Sequence, residues 1–194
     1  ITGDLIDKDD HKYAEEFIKK IHKLSKIYYV PGNHEYIFGG YPKLKEVLLK
    51  YNVNVLENEY TSINDYIDLY GVKDPDSKMT GDDKSYMEES LKVFKLNNKK
   101  YSILLSHRPE LFDIYIQNKY DLVFTGHAHG GQVIMPLIGP LYSPHQGVFP
   151  KYARGMKEKD NTKMIISRGL GNSLFAIIRV NNKPELIIVS LSNK

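Results

Sequence analysis

Metal-binding residue types recur in this sequence at one kind of position, directly after a short apolar segment. The set is Asp4, Asn33, His34, His107, His127 and His129. Carboxylate, imidazole and amide oxygens bind zinc, manganese and iron, and one carboxylate can bridge two cations. Because ligands of α/β sheets bind beyond the carboxyl ends of the strands, these residues are expected to converge there. The residue types fit a pair of metal ions.

Taken one at a time, these motifs have ordinary structural interpretations. Gly-Asp is common in turns, Asn-His is common at helix starts, and a single strand-end histidine such as His107 is more often buried and structural. The segment from Gly126 to Gly131 is harder to explain in that way, because two histidines two residues apart beside three glycines form a poor structural element. Since all of these motifs occur together at strand ends, metal binding is the stronger interpretation.

Composition narrows the chemistry further. The chain has 194 residues, enough for one globular domain with its own core. It has no cysteine, which excludes disulfides, iron–sulfur sites, thiolate zinc sites and a thiol nucleophile. Its 27 basic and 24 acidic residues are too evenly balanced for a dedicated nucleic-acid surface, so no nucleic-acid partner is expected. No apolar run reaches the roughly 18 residues of a membrane span.

The periodicity of apolar residues predicts the elements that must position these side chains. Strands and helices alternate over the first two-thirds, and the last third is mostly strand, which predicts an α/β domain with two packed sheets and helices outside. Helices are expected near 9–24, 42–51, 82–96 and from Pro109. Strands are expected near 26–30, 53–56, 60–63, 66–72, 101–105, 122–124, 132–134, 163–167, 174–180 and 185–191.

The motifs, in their order along the chain, resemble those of the calcineurin-like metallophosphoesterases. The matching segments are Gly3-Asp4-Leu5-Ile6-Asp7, Gly32-Asn33-His34-Glu35, His107 and Gly126-His127-Ala128-His129. Three later segments, 130–132, 144–152 and 167–173, resemble a bacterial branch of membrane-associated phosphodiesterases, which includes UDP-2,3-diacylglucosamine hydrolases and cell-wall-associated enzymes. The resemblance implies a four-layer αββα sandwich of two mixed sheets between helices.

The resemblance also implies a ligand set for two divalent ions, which could be manganese, zinc or iron. Asp4 would bridge both ions. Asn33, His107 and His127 would complete the second site, and His129 would help to hold the first.

Two further residues would act on the substrate. The resemblance implies that His34 contacts the scissile phosphate or protonates the leaving oxygen, and that Asp7 orients His34 through a hydrogen bond. The expected reaction is the hydrolysis of a phosphodiester or pyrophosphate, with in-line attack on phosphorus by a hydroxide that bridges the two metals. A lipid-linked or nucleotide-sugar substrate is expected.

The family's leading Asp-x-His motif, on its first strand, does not occur upstream of Gly-Asp in this sequence. We therefore expect residues 1–194 to form a single domain that lacks its first strand, with a first metal held only by Asp4 and His129. Asp9-Asp10-His11 spells the motif in the wrong place, and His11 is expected to face solvent. Members of the branch often have an N-terminal membrane anchor, so membrane association through an upstream segment is expected, with a cytoplasmic protein as the alternative.

The sequence says less about which residues contact the substrate than about which bind the metals. Arg108 and Arg168 could touch a phosphate, or each could form an ion pair. His145 lies in a loop rich in proline and glycine, where a position at the mouth of the site and a packing role are both open. The apolar stretch 135–142 could pack in the core or form an apolar lip for a lipid or a membrane surface.

Two alternative functions remain open. One is an interaction module that keeps the fold but has lost catalysis. The other is a protein phosphatase or nuclease of the same superfamily. The natural substrate, the preference for monoesters or diesters and the oligomeric state are not fixed by the sequence.

Overall fold

The computed structural model describes residues 1–8, 11–78, 81–171 and 179–192. In these ranges the α-helices are α1 (Lys12–Ile21), α2 (Asn33–Ile37), α3 (Tyr41–Lys50), α4 (Asp83–Lys92) and α5 (Phe112–Gln117). The strands are β1 (Tyr28–Tyr29), β2 (Asn54–Val55), β3 (Glu59–Ser62), β4 (Ile67–Gly71), β5 (Tyr101–Leu105), β6 (Leu122–Thr125), β7 (Ile134–Met135), β8 (Gly139–Pro140), β9 (Tyr142–Ser143), β10 (Gly147–Val148), β11 (Gly155–Lys159) and β12 (Thr162–Ile166).

A six-stranded mixed sheet has the order β11-β12-β6-β5-β4-β3. Its four inner strands are parallel, and each edge strand pairs antiparallel with its neighbour. Because side chains alternate between faces along a strand, Leu104 and Val123 pack on one face with residues of α4 and α5, whereas Ile103 and Leu122 pack on the other. The sheet is therefore covered on both faces.

A second, smaller parallel sheet covers the face of Ile103. Strands β1 and β2 pair in parallel, and a bridge between Thr2 and Val30 adds the start of the chain beside β1. Gly71 of β4 allows the two sheets to approach, since a Cβ there would lie 2.8 Å from Val30 Cγ1. On the outer face of the small sheet, α1 and α3 bury Ile18 and Leu44 completely. This confirms the predicted order of helix, sheet, sheet and helix.

Most predicted elements before residue 126 form near their expected positions, with shorter bounds. The end of the chain differs. The expected strand 185–191 is wrong: its backbone joins the rest of the described chain through the bond from Glu185 N–H to the Gly169 carbonyl and forms no ladder. Most of the expected strand 174–180 lies outside the described residues. Of this segment only Arg179 and Val180 are described, and Val180 forms a β-bridge with Val133. Among the described residues, no helix combines the length and the apolar character needed to cross a bilayer.

Candidate metal centre

The predicted convergence occurs at the carboxyl ends of parallel strands. Asp4 follows the residues beside β1, and Asn33 begins α2 just after β1. His107 follows β5 by two residues, and His127 follows its parallel neighbour β6 by two residues. A hydrogen bond from the Gly126 N–H to the carbonyl of His107, 3.2 Å long, continues the pairing of β5 with β6 past their ends. The pairing of β5 with β6 therefore places His107 and His127 beside each other at the carboxyl edge of the sheet.

Four potential ligand atoms meet at one point, and His107 Nε2 is one of them. That nitrogen lies 3.0 Å from Asp4 Oδ2, 3.0 Å from Asn33 Oδ1 and 3.0 Å from His127 Nδ1. Asn33, His107 and His127 are buried, and the Asp4 side chain is only 11% exposed. Asp4, His107 and His127 also form one of the groups of mutually close metal-type side chains in the described ranges.

The other ring nitrogen of His107 shows why this group suits a cation. His107 Nδ1 lies 2.6 Å from the carbonyl oxygen of Thr2, which can only accept, so Nδ1 carries the proton. In the neutral ring, Nε2 then presents an unshared electron pair to the Asp4 and Asn33 oxygens, which also carry unshared pairs. Asp4 Oδ2 is buried, and among the described residues only the His107 ring, when Nε2 also carries a proton, could donate a hydrogen bond to it. Electron pairs converging on a buried point fit a divalent metal ion.

The electrostatics show that a proton on His107 Nε2 and a metal cation compete for the same place between His107 and Asp4. Burial opposes ionisation of Asp4, but the charge of His107 and their hydrogen bond hold the pKa of Asp4 far below its usual value. Burial likewise opposes the charge on His107, yet Asp4 raises the pKa of His107 to about 9. Burial and the neighbouring cationic groups keep the pKa of His127 well below its usual value, so His127 is neutral and able to act as a ligand.

The backbone is tightly constrained at the ligands. Asp4, His127 and His129 have φ angles of 52°, 61° and 46°, in the left-handed region where a side chain is strained. Gly32 lies so close to the Asp4 loop that a Cβ there would come within 2.7 Å of the Asp4 nitrogen. The glycine therefore lets two loops meet, which is the close approach that its place beside the ligands suggests.

Glu35 is a functional residue whose role the sequence analysis did not assign. Its buried carboxylate accepts hydrogen bonds from the backbone N–H groups of Asp4 (2.9 Å), Leu5 (2.7 Å), Ile6 (3.3 Å) and Gly32 (2.7 Å). Burial and the charge of Asp4 raise the pKa of Glu35, while the N–H donors oppose that shift. The available signal was its place three residues after the N-cap Gly32 of α2, where a glutamate closes a capping box.

His34 and Asp7 form the expected pair. His34 Nδ1 lies 2.6 Å from Asp7 Oδ1, and the backbone N–H of His34 donates to Asp4 Oδ1 over 3.0 Å. The ring of Phe38 contacts the His34 ring edge-on, with centroids 5.5 Å apart. Asp7 and Phe38 thus hold the imidazole, and Asp4 holds the backbone that carries it.

A comparison with known protein families agrees with the geometry. Residues 1–131 match the model of the calcineurin-like phosphoesterases. The chain belongs to this family. The matched part contains each of the ligand-type residues described above.

Individual relatives of this calcineurin-like phosphoesterase are also informative. It is 33% identical to uncharacterized metallophosphoesterases of Campylobacter jejuni and Aquifex aeolicus; all of the chain aligns with 50% of the first protein and 72% of the second. It is 30% identical over 89 residues to phosphodiesterase YaeI of Escherichia coli, which covers 46% of this chain and 32% of YaeI. The chain thus spans half of the Campylobacter relative.

A solved structure shows the same fold. A protein from Staphylococcus aureus that is provisionally named a 5′-nucleotidase superimposes with a TM-score of 0.50 at 13% identity. The alignment covers 93% of this chain and 42% of that one.

His145 lies beside the ligand group of this phosphoesterase, whereas His129 is not one of the side chains that meet in the Asp4, His107 and His127 group of the described residues. Burial lowers the pKa of His129 to about 4, and the charge of Asp4 opposes this shift. The ring of His145 lies 5.1 Å from that of His127, and His145 Nδ1 lies 3.4 Å from Asp83 Oδ2. The loop of His145 therefore reaches the metal centre.

The two arginines are engaged in ion pairs. Arg108 is completely buried, and its Nε and Nη2 donate to Asp74 over 2.6 and 2.8 Å. Arg168 Nε lies 3.2 Å from Glu185 Oε2. For Arg108, burial among carboxylates favours the ion pair over a phosphate contact, since a substrate would have to displace Asp74.

One histidine outside the centre corrects an expectation. His11 does not face solvent: it is 5% exposed, and its Nε2 lies 2.7 Å from the Gly40 carbonyl oxygen. The start of α1 packs against the Gly40 turn, and this contact has no local sequence signal.

Proposed function

We propose that the chain hydrolyses phosphodiester or pyrophosphate bonds in a reaction that requires two divalent metal ions. The observation that carries the proposal is the meeting of Asp4, Asn33, His107 and His127 at one buried point. Family membership supports phosphoester hydrolysis as the class of reaction. One relative is a phosphodiesterase by name, which supports a diester substrate.

The ligand group has a defined part in this reaction. A divalent cation held there would act as a Lewis acid toward phosphoryl oxygen and would lower the pKa of water. Thr2 holds the His107 ring by its Nδ1, so that Nε2 faces the ligand group. We infer that Asp4 and His129 hold a second cation, and the place of His129 two residues after His127 in the matched motif supports this.

His34 is the residue best placed to act on the substrate itself. Its Nδ1 is bound to Asp7, which leaves Nε2 to contact a phosphoryl oxygen or to give a proton to the leaving oxygen. Asp7 fixes the orientation of the ring through this contact. Because His34 is joined to Asp4 through its backbone N–H, the distance from proton donor to ligand group is set by one hydrogen bond.

The finer substrate assignment is a lipid-linked or nucleotide-sugar phosphoester. The likeness of the later segments to membrane-associated phosphodiesterases supports it. The position of His145 beside His127 supports a substrate-facing role for that loop. A membrane-associated location is part of the same proposal.

The test is hydrolysis of bis-p-nitrophenyl phosphate with manganese, with zinc and iron tried in parallel, together with the metal content of each variant. His34→Ala should slow turnover about 10²–10⁴-fold and leave the metal content unchanged. Asn33→Ala and His127→Ala should lower the metal content first. His22→Ala is the matched control, because His22 is bonded to α1 carbonyls and lies outside the ligand group, so neither quantity should change.

Two results would count against the proposal. If wild type binds metal but hydrolyses neither this diester nor a pyrophosphate, the chain is an interaction module with a metal site. If His34→Ala loses as much metal as Asn33→Ala, His34 belongs to the ligand set and the division of roles is wrong.

A further inference from the structure

Five large apolar side chains are exposed on the two short hairpins that follow the metal centre. We call this set the apolar lip; its members are Leu137, Ile138, Tyr142, Val148 and Phe149. Leu137 is fully exposed, and each of the others is at least half exposed. Isolated exposed apolar residues are normal, but five within thirteen residues are an unusual concentration, which suggests a partner.

The apolar lip is connected to the metal centre by strand register. Tyr142 of β9 lies opposite Val148 of β10, and the next pair in the hairpin is Ser143 with Gly147. The turn beyond that pair carries His145, whose ring contacts His127. A molecule that covers Tyr142 and Val148 therefore lies only one residue pair away from the turn that carries His145 to the ligand group.

The lip is held outward by the structure beneath it. The side chain of Gln146 bonds both ways to the backbone of Tyr152, donating to its carbonyl and accepting from its N–H, each over 2.9 Å. Tyr152 is buried and packs edge-on against Phe112 of α5. Phe149 N–H donates to the Leu141 carbonyl over 2.8 Å. These bonds fix the hairpins, so the apolar side chains cannot simply fold into the core.

Two members of the lip break a local rule. Leu137 and Phe149 have φ angles of 65° and 56°, a conformation that suits glycine or asparagine and strains a bulky side chain. Neither residue recovers this strain by burial, since both are exposed. When backbone strain at an exposed apolar residue is not offset by packing within the chain, a contact with another molecule can offset it.

The charged residues near the apolar lip indicate which kind of partner would bind it. No aspartate or glutamate occurs from Leu122 to Lys157. The same stretch contains Lys151, Arg154 and Lys157, and Lys151 lies two residues after Phe149. Lys151 and Lys157 are exposed. Apolar side chains at hairpin tips beside cations are complementary to an anionic lipid surface, and Asp83, a carboxylate that reaches the second hairpin, is paired with His145.

We propose that the apolar lip docks this protein on an anionic lipid bilayer. Leu137, Ile138, Val148 and Phe149 enter the boundary between head groups and acyl chains, and Lys151 contacts the anionic head groups. Docking places the turn of His145, and with it the metal centre, next to the surface. It does not require hydrolysis.

The experiment measures partition of the 194-residue chain onto sedimented vesicles. Vesicles of phosphatidylcholine with phosphatidylglycerol should bind it, and vesicles of phosphatidylcholine alone should bind it much less. The variant Leu137→Asn with Phe149→Asn should bind at least about tenfold more weakly, because two apolar side chains no longer enter the bilayer. Asparagine tolerates the left-handed backbone, so this variant should melt no lower than wild type. Lys151→Gln should weaken binding to the anionic vesicles alone.

The matched control is Leu24→Asn, which removes an exposed leucine just beyond α1 and should leave partition unchanged. Binding that the double variant retains in full, or that is equal on neutral vesicles, would overturn the proposal. So would a dimer in ultracentrifugation without lipid that only the double variant dissociates, because the lip would then join two copies of the chain. Asn33→Ala should still bind vesicles, so a failure of the catalytic proposal is distinguishable.

Discussion

Replacing Glu35 by glutamine tests whether a buried carboxylate organises the metal centre. Each Glu35 oxygen accepts two backbone N–H groups. Oε2 accepts from Asp4 and Gly32, whereas Oε1 accepts from Leu5 and Ile6. Glutamine has the same shape but has one oxygen and one NH2 group. Whichever way the amide is turned, its NH2 group faces two N–H donors that it cannot satisfy.

The expected cost follows from that count. Two hydrogen bonds to a charged acceptor are lost, and each contributes about 1.5–3 kcal/mol. Glu35→Gln should therefore lower the free energy of unfolding by about 3–6 kcal/mol, which is a large part of the stability of an ordinary domain. Since the donors belong to the Asp4 and Gly32 loops, the position of the Asp4 carboxylate should become less defined. We expect metal affinity to fall roughly 10–100-fold.

The two effects are measured separately. Urea denaturation in the presence of a chelator gives the free energy of unfolding without metal, and calorimetric titration with manganese at low temperature gives the affinity of the folded protein. Glu57→Gln is the control. Glu57 is a partly buried carboxylate that pairs with Lys45 and Lys73 away from the metal centre, so the loss should stay below about 1 kcal/mol and metal affinity should not change.

The reasoning would be refuted if Glu35→Gln unfolded within about 1 kcal/mol of wild type and bound manganese with the same affinity. Glu35 would then be a carboxylate whose hydrogen bonds are replaceable by water. A loss of stability with unchanged affinity would also refute the positioning role, since the Asp4 loop would keep its geometry without the carboxylate.

Two further predictions concern backbone space and pH. Gly32→Ala should lose bound metal, because the new Cβ would lie 2.8 Å from the His107 ring, whereas Gly171→Ala, whose Cβ would meet no atom of the described residues within 4 Å, should keep the metal content measured by atomic absorption. Burial opposes ionisation of Asp68, but hydrogen bonds from Ser62 and Lys100 hold its pKa below the usual value. Its stabilisation is therefore present above the unfolded-state pKa and is lost as pH falls through the folded-state pKa; urea denaturation should show a difference between wild type and Asp68→Asn at pH 7 that narrows as the pH falls below about 4.

The positions of the metal ligands follow from the sequence because they depend on a simple rule. Parallel strands end at the same edge of a sheet, so residues that follow short apolar segments must meet there. Asn33, His107 and His127 obey that rule, and the structure brings them within hydrogen-bond distance. The pairing of His34 with Asp7 came from the likeness to a family, since no rule of spacing links residues on different loops.

Other features could not be predicted, because they depend on backbone groups or on distant packing. Thr2 holds the His107 ring through a carbonyl that every residue has. The ion pair of Arg108 with Asp74 joins loops 34 residues apart. Residues 185–191 contain a run of apolar, mostly β-branched residues as a strand does, but such a run gives no information about a partner for the backbone, and the described chain supplies no ladder there.

The role of Glu35 could not be inferred from its motif, although the motif itself was recognised. The likeness of Gly32-Asn33-His34-Glu35 to a family motif draws attention to Asn33 and His34, whose side chains have obvious chemistry. The carboxylate of Glu35 does not contact the ligand group; it gathers the N–H groups of the loop that holds Asp4. A metal centre built on loops needs such a group, because Asp4 is held in a strained backbone that would otherwise relax. The strain at Asp4 and the burial of Glu35 are therefore two parts of one arrangement, and they should be lost together.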